Sequence, residues 1–220
     1  MGRTENQSSG GMKETYMAAQ ATNKNPWLVL MVFSLGLFMT LLDLTIVNIA
    51  IPSIVDDLKA PLDGILWMLN AYSLVYAVLL ITSARLGDMF GPRALFVAGV
   101  GTFTVASALS GLAQDPTQLI LARGAQGLGA ALIAPQGLPM ITSLFAPEKR
   151  GGVFAIFGIL AGLAVALGPT LGGLIVSNLG WRWIFYVNIP VGIALVAAAF
   201  AFVPDLRPGR SHRLDLVGVA

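Results

Sequence analysis

Residues 27–52 read WLVLMVFSLGLFMTLLDLTIVNIAIP, an apolar run broken by one charge, Asp43. About 20 apolar residues, at roughly 1.5 Å each, cross a bilayer as one helix, so this stretch is long enough to do so. A carboxylate at bilayer depth costs roughly 2.5–3.5 kcal/mol on insertion scales, and it needs a partner, a water-filled cavity or a proton. The first expectation is therefore a transporter in which Asp43 handles protons. The rest of the chain must supply the partner and the cavity.

Composition agrees with a membrane setting. Of 220 residues, 56% are hydrophobic and 11% charged, and the mean hydropathy is +0.78. A soluble domain carries about 25% charged residues, so this chain lacks the polar surface to face water all round. It has no cysteine and a single histidine, His212. Disulfides, thiolate nucleophiles, multi-histidine metal sites and His-based triads are excluded, and no metal site is expected. No G-x-x-x-x-G-K-[ST] phosphate loop is present, so the chain is neither an ATP motor nor, on these residues, an enzyme. The net charge of +2 is explained by basic cytoplasmic loops rather than by nucleic acid.

The pattern predicts six spans. Residues 1–26 are polar and aperiodic and read as a disordered cytoplasmic tail without a cleavable signal peptide. An acidic loop at 56–64 separates the first span from a second, about 65–86, that holds Asn70, Tyr72, Ser73 and Tyr76. Gly91-Pro92 opens a third span ending near 113, since proline suits the first turn of a helix. A fourth runs about 117–145, with kinks expected at Pro135 and Pro139. A charged loop at 146–152 leads to a glycine-rich fifth span, about 153–177. Trp181-Arg182-Trp183 reads as an interfacial aromatic cluster before a sixth, about 184–203. Residues 204–220 are a basic linker and the onset of a seventh helix.

Ten basic residues (Arg3, Lys13, Lys24, Arg85, Arg93, Lys149, Arg150, Arg207, Arg210 and Arg213) fall on the N-terminal side, against Lys59 and Arg182 on the other. That bias predicts a cytoplasmic N-terminus and an even number of complete spans.

Within the spans only Asp43 and Arg123 are charged. Asp43 lies nine residues before Pro52 and Arg123 six after Thr117, hence roughly 13 Å and 9 Å below the outer helix ends. At such similar depths the two can pair. At 100° per residue, the Asp43 face carries Gly36, Met39, Thr40, Val47 and Ala50, and the Arg123 face carries Gln126, Gly127, Ala130, Ala134 and Gly137. Small and polar faces suit a cavity wall or a close helix contact. Ser34, Thr45 and Asn48 form a second polar stripe nearly opposite Asp43. Three readings stay open: proton or substrate coupling by Asp43 and Arg123, a static ion pair, or an Arg123 that snorkels to the interface. Met39, Thr40, Asn70, Ser73, Tyr76 and Gln126 are the candidate cavity-lining residues. Gly158/Gly162 and Gly168/Gly172 are spaced for close helix packing, and Gly168-Pro169 marks a bend in a moving helix.

These motifs together resemble the drug:proton antiporters of the major facilitator superfamily, in their fourteen-span branch. LDLTIVNIAIP at 42–52 is similar to the branch's first-helix signature LDxTIVNVALP. LARGAQGLGAA at 121–131 matches RxxQGxGAA, GPTLGG at 168–173 matches GPxxGG, and WRWIF at 181–185 followed by NIPVG at 188–192 matches the branch's WRWIF-x-x-N-x-P-x-G run. Between the second and third spans, Leu86, Asp88, Gly91 and Arg93 fit the family's G-x-L-a-D-R-x-G-R-[RK] loop, whereas Ala84, Met89 and Pro92 depart from it.

The resemblance implies an all-α integral membrane bundle of six helices, built from two inverted three-helix repeats that rock about a midplane site. It also implies an antiporter hinge at Gly168, Pro169, Gly172 and Gly173, a cytoplasmic gate at Arg85, Asp88, Gly91 and Arg93, and a plasma-membrane location. The expected partners are the lipid bilayer, protons, an amphipathic small molecule and a C-terminal transporter half missing from this chain. No cofactor is expected, the proton gradient being the energy source. The leading expectation is thus the N-terminal half of a proton-coupled multidrug or metabolite exporter. The competing ones are a non-transporting half acting as an interaction or assembly subunit, and a homodimer of halves.

Overall fold

The computed structural model describes residues 25–205. The expected tail at 1–24 and the linker and helix onset at 206–220 lie outside the described residues. The described chain is helical: α1 (Pro26–Leu58), α2 (Leu62–Phe90), α3 (Pro92–Leu112), α4 (Pro116–Ile133), a 3-10 turn (Ala134–Gln136), α5 (Gly137–Leu144), α6 (Pro147–Leu179), α7 (Trp183–Tyr186) and α8 (Asn188–Phe202). Among the described residues, six stretches are long and apolar enough to span a membrane; α4–α5 form the fourth and α7–α8 the sixth.

Local chemistry sets the boundaries. Asn25 caps α1 by accepting from the Trp27 amide at 3.0 Å, and Asp115 caps α4 by accepting from the Gln118 amide at 2.9 Å. Proline stands in the first turn of α1, α3, α4 and α6, where its missing N–H costs nothing. Gly91, at φ 89°, makes the turn between α2 and α3 that an L side chain would strain. The 3-10 turn falls at Pro135, one of the expected kinks.

Three loops expected from charge are shorter than their sequence suggested. α1 continues to Leu58 through Asp56 and Asp57, α2 to Phe90 through Arg85 and Asp88, and α6 starts at Pro147, before Lys149 and Arg150. Charge marks where a chain leaves the lipid, not where its backbone hydrogen bonding ends, so these helices project past the apolar layer. Trp181 also departs from expectation. It is buried in the core, while Trp183 is half exposed.

Helix pairings follow the pattern of an inverted repeat. The first span packs on the fifth as the fourth packs on the second. The third packs on the fourth as the sixth packs on the first, and the third and sixth pack on each other. Exchanging the first three spans for the last three leaves this set unchanged, as the fold expectation requires.

Two large apolar layers fill most of the interior, beside a small cluster of Leu30, Ile141, Phe145 and Val153. One layer holds Val29, Phe33, Phe96, Val100, Phe103, Ile133, Leu195 and Ala199; the other holds Ile46, Ile54, Ala113, Leu119, Trp181, Ile184 and Phe185. On the first, third, fourth and sixth spans, six buried polar residues lie in sequence between these two sets: Asp43, Ser107 and Ser110, Arg123 and Gln126, and Asn188. Lipid is as apolar as leucine, so dispersion and interhelical hydrogen bonds, not hydrophobic exclusion, hold such layers together.

Candidate functional site

Asp43 and Arg123 meet between the two apolar layers. Each is 1% exposed, and Arg123 Nη1 donates to Asp43 Oδ2 at 2.5 Å. The guanidinium therefore does not snorkel. Buried small residues clear the approach. A Cβ on Gly127, one turn beyond Arg123, would strike the Tyr72 carbonyl oxygen, so only glycine lets α2 and α4 come this close.

Uncharged polar groups complete the pair. Asp43 Oδ1 accepts from Gln126 Nε2 at 3.1 Å and from Asn188 Nδ2 at 3.0 Å. Gln126 Oε1 accepts from Arg123 Nη1 at 2.9 Å and from the Ser110 hydroxyl at 3.2 Å. Ser107 Oγ accepts from Gln126 at 2.8 Å and from Asn188 at 3.3 Å. The carboxylate thus has three donors drawn from two other spans, each hydrogen bond strengthened by its charge. Such a network has high stakes, because low dielectric strengthens each satisfied bond and penalises each missing one.

Two rings flank the guanidinium, whose carbon lies 4.5 Å from the Tyr72 centroid and 5.9 Å from that of Phe185. Arg123 Nε is buried without a hydrogen-bond partner.

Of the expected cavity residues, Gln126 belongs to the network itself. Met39 and Thr40 are buried on the Asp43 face, and the Thr40 carbonyl accepts from the Tyr72 hydroxyl at 3.2 Å. Tyr76, half buried, stacks on Tyr72. Asn70 and Ser73 point the other way and line an open groove on the exposed face of α2 with Asp63, Leu66, Trp67 and Leu74. The Asp43 and Arg123 faces are thus a close helix contact within this bundle.

The fifth span divides in two. Gly168 and Gly172 press against Thr45, Ile46 and Ile49 of α1, whereas Gly158, Gly162 and Gly173 meet no neighbour. α6 runs unbroken through Pro169. The second polar stripe of α1 is similarly mixed. Thr45 faces Gly168, Ser34 is buried, and Asn48 is exposed and donates back to the Leu44 carbonyl at 3.1 Å.

In the expected gate, Arg85 and Asp88 are exposed on the last turns of α2. Arg93 is tied down, donating to the Val203 carbonyl at 3.2 Å and lying over the Phe200 ring. At the opposite rim, Asp57 pairs with Arg182 at 2.5 Å and accepts from Trp181 Nε1 at 3.1 Å.

Sequence reasoning assigned no role to Ser107, Ser110, Asn188, Tyr72 or Phe185. Ser107 and Ser110 lie one turn apart on α3, a polar face in an apolar span that depth matching against Asp43 could have flagged.

Comparison with known proteins completes the picture. An uncharacterised MFS-type transporter of Mycobacterium tuberculosis is 44% identical over 89% of this chain and 34% of its own length. The puromycin resistance protein of Streptomyces alboniger is 40% identical over 91% of this chain and 40% of its own. The tetracenomycin C resistance and export protein of Streptomyces glaucescens is 38% identical over 91% and 38%. The chain spans between a third and two-fifths of the length of these relatives. Residues 33–218 match the Major Facilitator Superfamily, and the chain belongs to that family of membrane transporters.

Proposed function

We propose that this chain is the N-terminal half of a proton-coupled efflux antiporter. It would lie in the plasma membrane with a cytoplasmic N-terminus and export amphipathic drugs or metabolites by alternating access. The observation that carries the reading is the Asp43–Arg123 pair, fully desolvated in the middle of the bundle. Well-packed apolar residues often replace a buried ion pair with no loss of stability, and an ionisable residue at membrane depth is a functional candidate by default. The resistance and export proteins among the relatives support the direction of transport, and their greater length supports a second half that supplies the other cavity wall.

In this mechanism two opposing influences act on Asp43. Burial disfavours a lone carboxylate, while Arg123, Gln126 and Asn188 stabilise it. Opening the site toward one side of the membrane changes that balance, so the carboxylate takes a proton facing one compartment and releases it facing the other. Each proton moving inward across 100 mV contributes about 2.3 kcal/mol from the potential alone. No cofactor takes part.

The test is efflux of a fluorescent substrate from vesicles carrying the bundle with the remainder of its transporter. Asp43→Asn abolishes efflux driven by a pH gradient and leaves substrate binding measurable. Unchanged gradient-driven efflux by that variant overturns the proposal.

A further inference from the structure

Arg123 is gripped in two ways. One grip is the Asp43 carboxylate. The other is aromatic, with the Tyr72 ring 4.5 Å and the Phe185 ring 5.9 Å from the guanidinium carbon, and it owes nothing to the charge on Asp43.

Tyr72 is itself firmly placed. It is 3% exposed, its ring stacks on Tyr76 at 6.4 Å, and its hydroxyl donates to the carbonyl of Thr40, one turn before Asp43 on α1. Its backbone rests against Gly127. The ring on Arg123 is thus fixed to α1 and α4 at once. Phe185 comes from the short helix α7, on the far side of the bundle in sequence.

The surroundings explain why a second grip is needed. Facing the guanidinium or its network are Asp43 from α1, the Tyr72 phenol from α2, Ser107 and Ser110 from α3, Gln126 from α4, Phe185 from α7 and Asn188 from α8. Among the described residues, Asp43 is the one carboxylate in contact with Arg123. Once it is neutral, its remaining acceptor oxygen holds the guanidinium without the attraction of a full charge, and the Gln126 oxygen and the two ring faces carry more of the grip. Ring quadrupoles attract a desolvated guanidinium more strongly than a hydrated one, and guanidinium is flat and weakly hydrated enough to lie against a ring.

We propose that Tyr72 and Phe185 form an aromatic cradle that holds Arg123 in place as a buried cation while Asp43 is neutral, with Tyr72 as the positioning residue. The inference rests on the reading of Asp43 as the proton site. It adds what that reading requires, a way for the partner cation to survive the loss of its anion without leaving the bundle.

Thermal unfolding of the purified chain in detergent tests it, read by tryptophan fluorescence. Asp43→Asn imitates the neutral acid. Tyr72→Leu is compared in the wild-type and Asp43→Asn backgrounds, and Phe185→Leu is carried through the same cycle in case the Tyr72 variant does not fold. Each Leu substitution is expected to lower the midpoint by about 2–4 °C more in the Asp43→Asn background than in the wild type. The excess should disappear when Arg123→Met is added, and Tyr72→Phe, which keeps the ring, should restore most of the loss. Equal losses in both backgrounds, or a Tyr72→Phe variant as damaged as Tyr72→Leu, overturns the cradle. The cycle needs no transport, so it fails separately from the efflux assay. Additive losses with Asp43→Asn efflux abolished remove only the cradle, and excess losses with efflux intact remove only the proton reading.

Discussion

Gln126→Leu is the sharpest probe of the buried network, because Gln126 touches both charges. It accepts from Arg123 and donates to Asp43, and it also bonds Ser107 and Ser110. Leucine has similar volume and leaves little void, so the change isolates hydrogen bonding from cavity formation. The serine hydroxyls lose little, since each can turn back to a carbonyl of its own helix. The bonds to the charged groups are the real loss. Hydrogen bonds inside membrane proteins average about 0.6 kcal/mol and reach about 1.7, and bonds to charged groups elsewhere run about 1.5–3 kcal/mol. Two of them together give about 2–4 kcal/mol. For a chain of this size that lowers the unfolding midpoint by roughly 4–16 °C. Thermal unfolding of the purified chain in detergent at neutral pH measures it. A Gln126→Leu variant within about 2 °C of wild type, less than 1 kcal/mol, would refute the reasoning. It would mean that Asp43 and Arg123 satisfy each other without the amide.

Two further substitutions check other parts of the structure by the same unfolding measurement. Gly168→Ala should destabilise the chain by about 1–3 kcal/mol through overpacking, because the new methyl meets Thr45, whereas Gly162→Ala, inside the same helix and with no neighbour, should be neutral or stabilise by up to about 1 kcal/mol. Asp57→Asn should cost at most about 1 kcal/mol, since the Asp57 and Arg182 side chains are 45% and 37% exposed, and raising the salt concentration should shrink the difference.

The sequence carried the outline of the fold and the centre of the site for one physical reason. In lipid, a charge is so costly that two charges at equal depth on different helices advertise each other. Asp43 and Arg123 were legible on that ground, and Gln126 followed from sharing the Arg123 face. Asn188, Ser107 and Ser110 were harder. Short neutral side chains are tolerated in membrane helices and back-bond to their own turn, as Thr104 does to the Val100 carbonyl at 2.7 Å, so their presence does not demand a partner. Tyr72 was noted among the polar residues of the second span, but its ring, not its hydroxyl, meets Arg123, and a wheel drawn for polarity does not weigh ring faces. Gly158 and Gly162 failed in the opposite direction. Their spacing equals that of Gly168 and Gly172, yet only the latter pair faces α1, because a single-helix pattern contains no information about which side the neighbour takes.

The same division of the fifth span shapes how the network acts on the bundle. Asp43, Ser107, Ser110, Arg123, Gln126 and Asn188 join the first, third, fourth and sixth spans by hydrogen bonds, and Tyr72 adds the second through Thr40. α6 contributes no residue to it and packs chiefly on α1. Asp43 and Thr45 lie two residues apart, about 200° around the helix, so one face of α1 carries the carboxylate and the other presses Thr45 on Gly168. In the proposed mechanism a long helix moves as a unit, and a displacement of α1 that accompanied neutralisation of Asp43 would be passed to α6 where Thr45 meets Gly168. No polar bond from the network holds α6 back. Packing on α1 is thus the route by which the proposed carboxylate switch would reach the fifth span, and Gly168→Ala alters that contact without replacing any residue of the network.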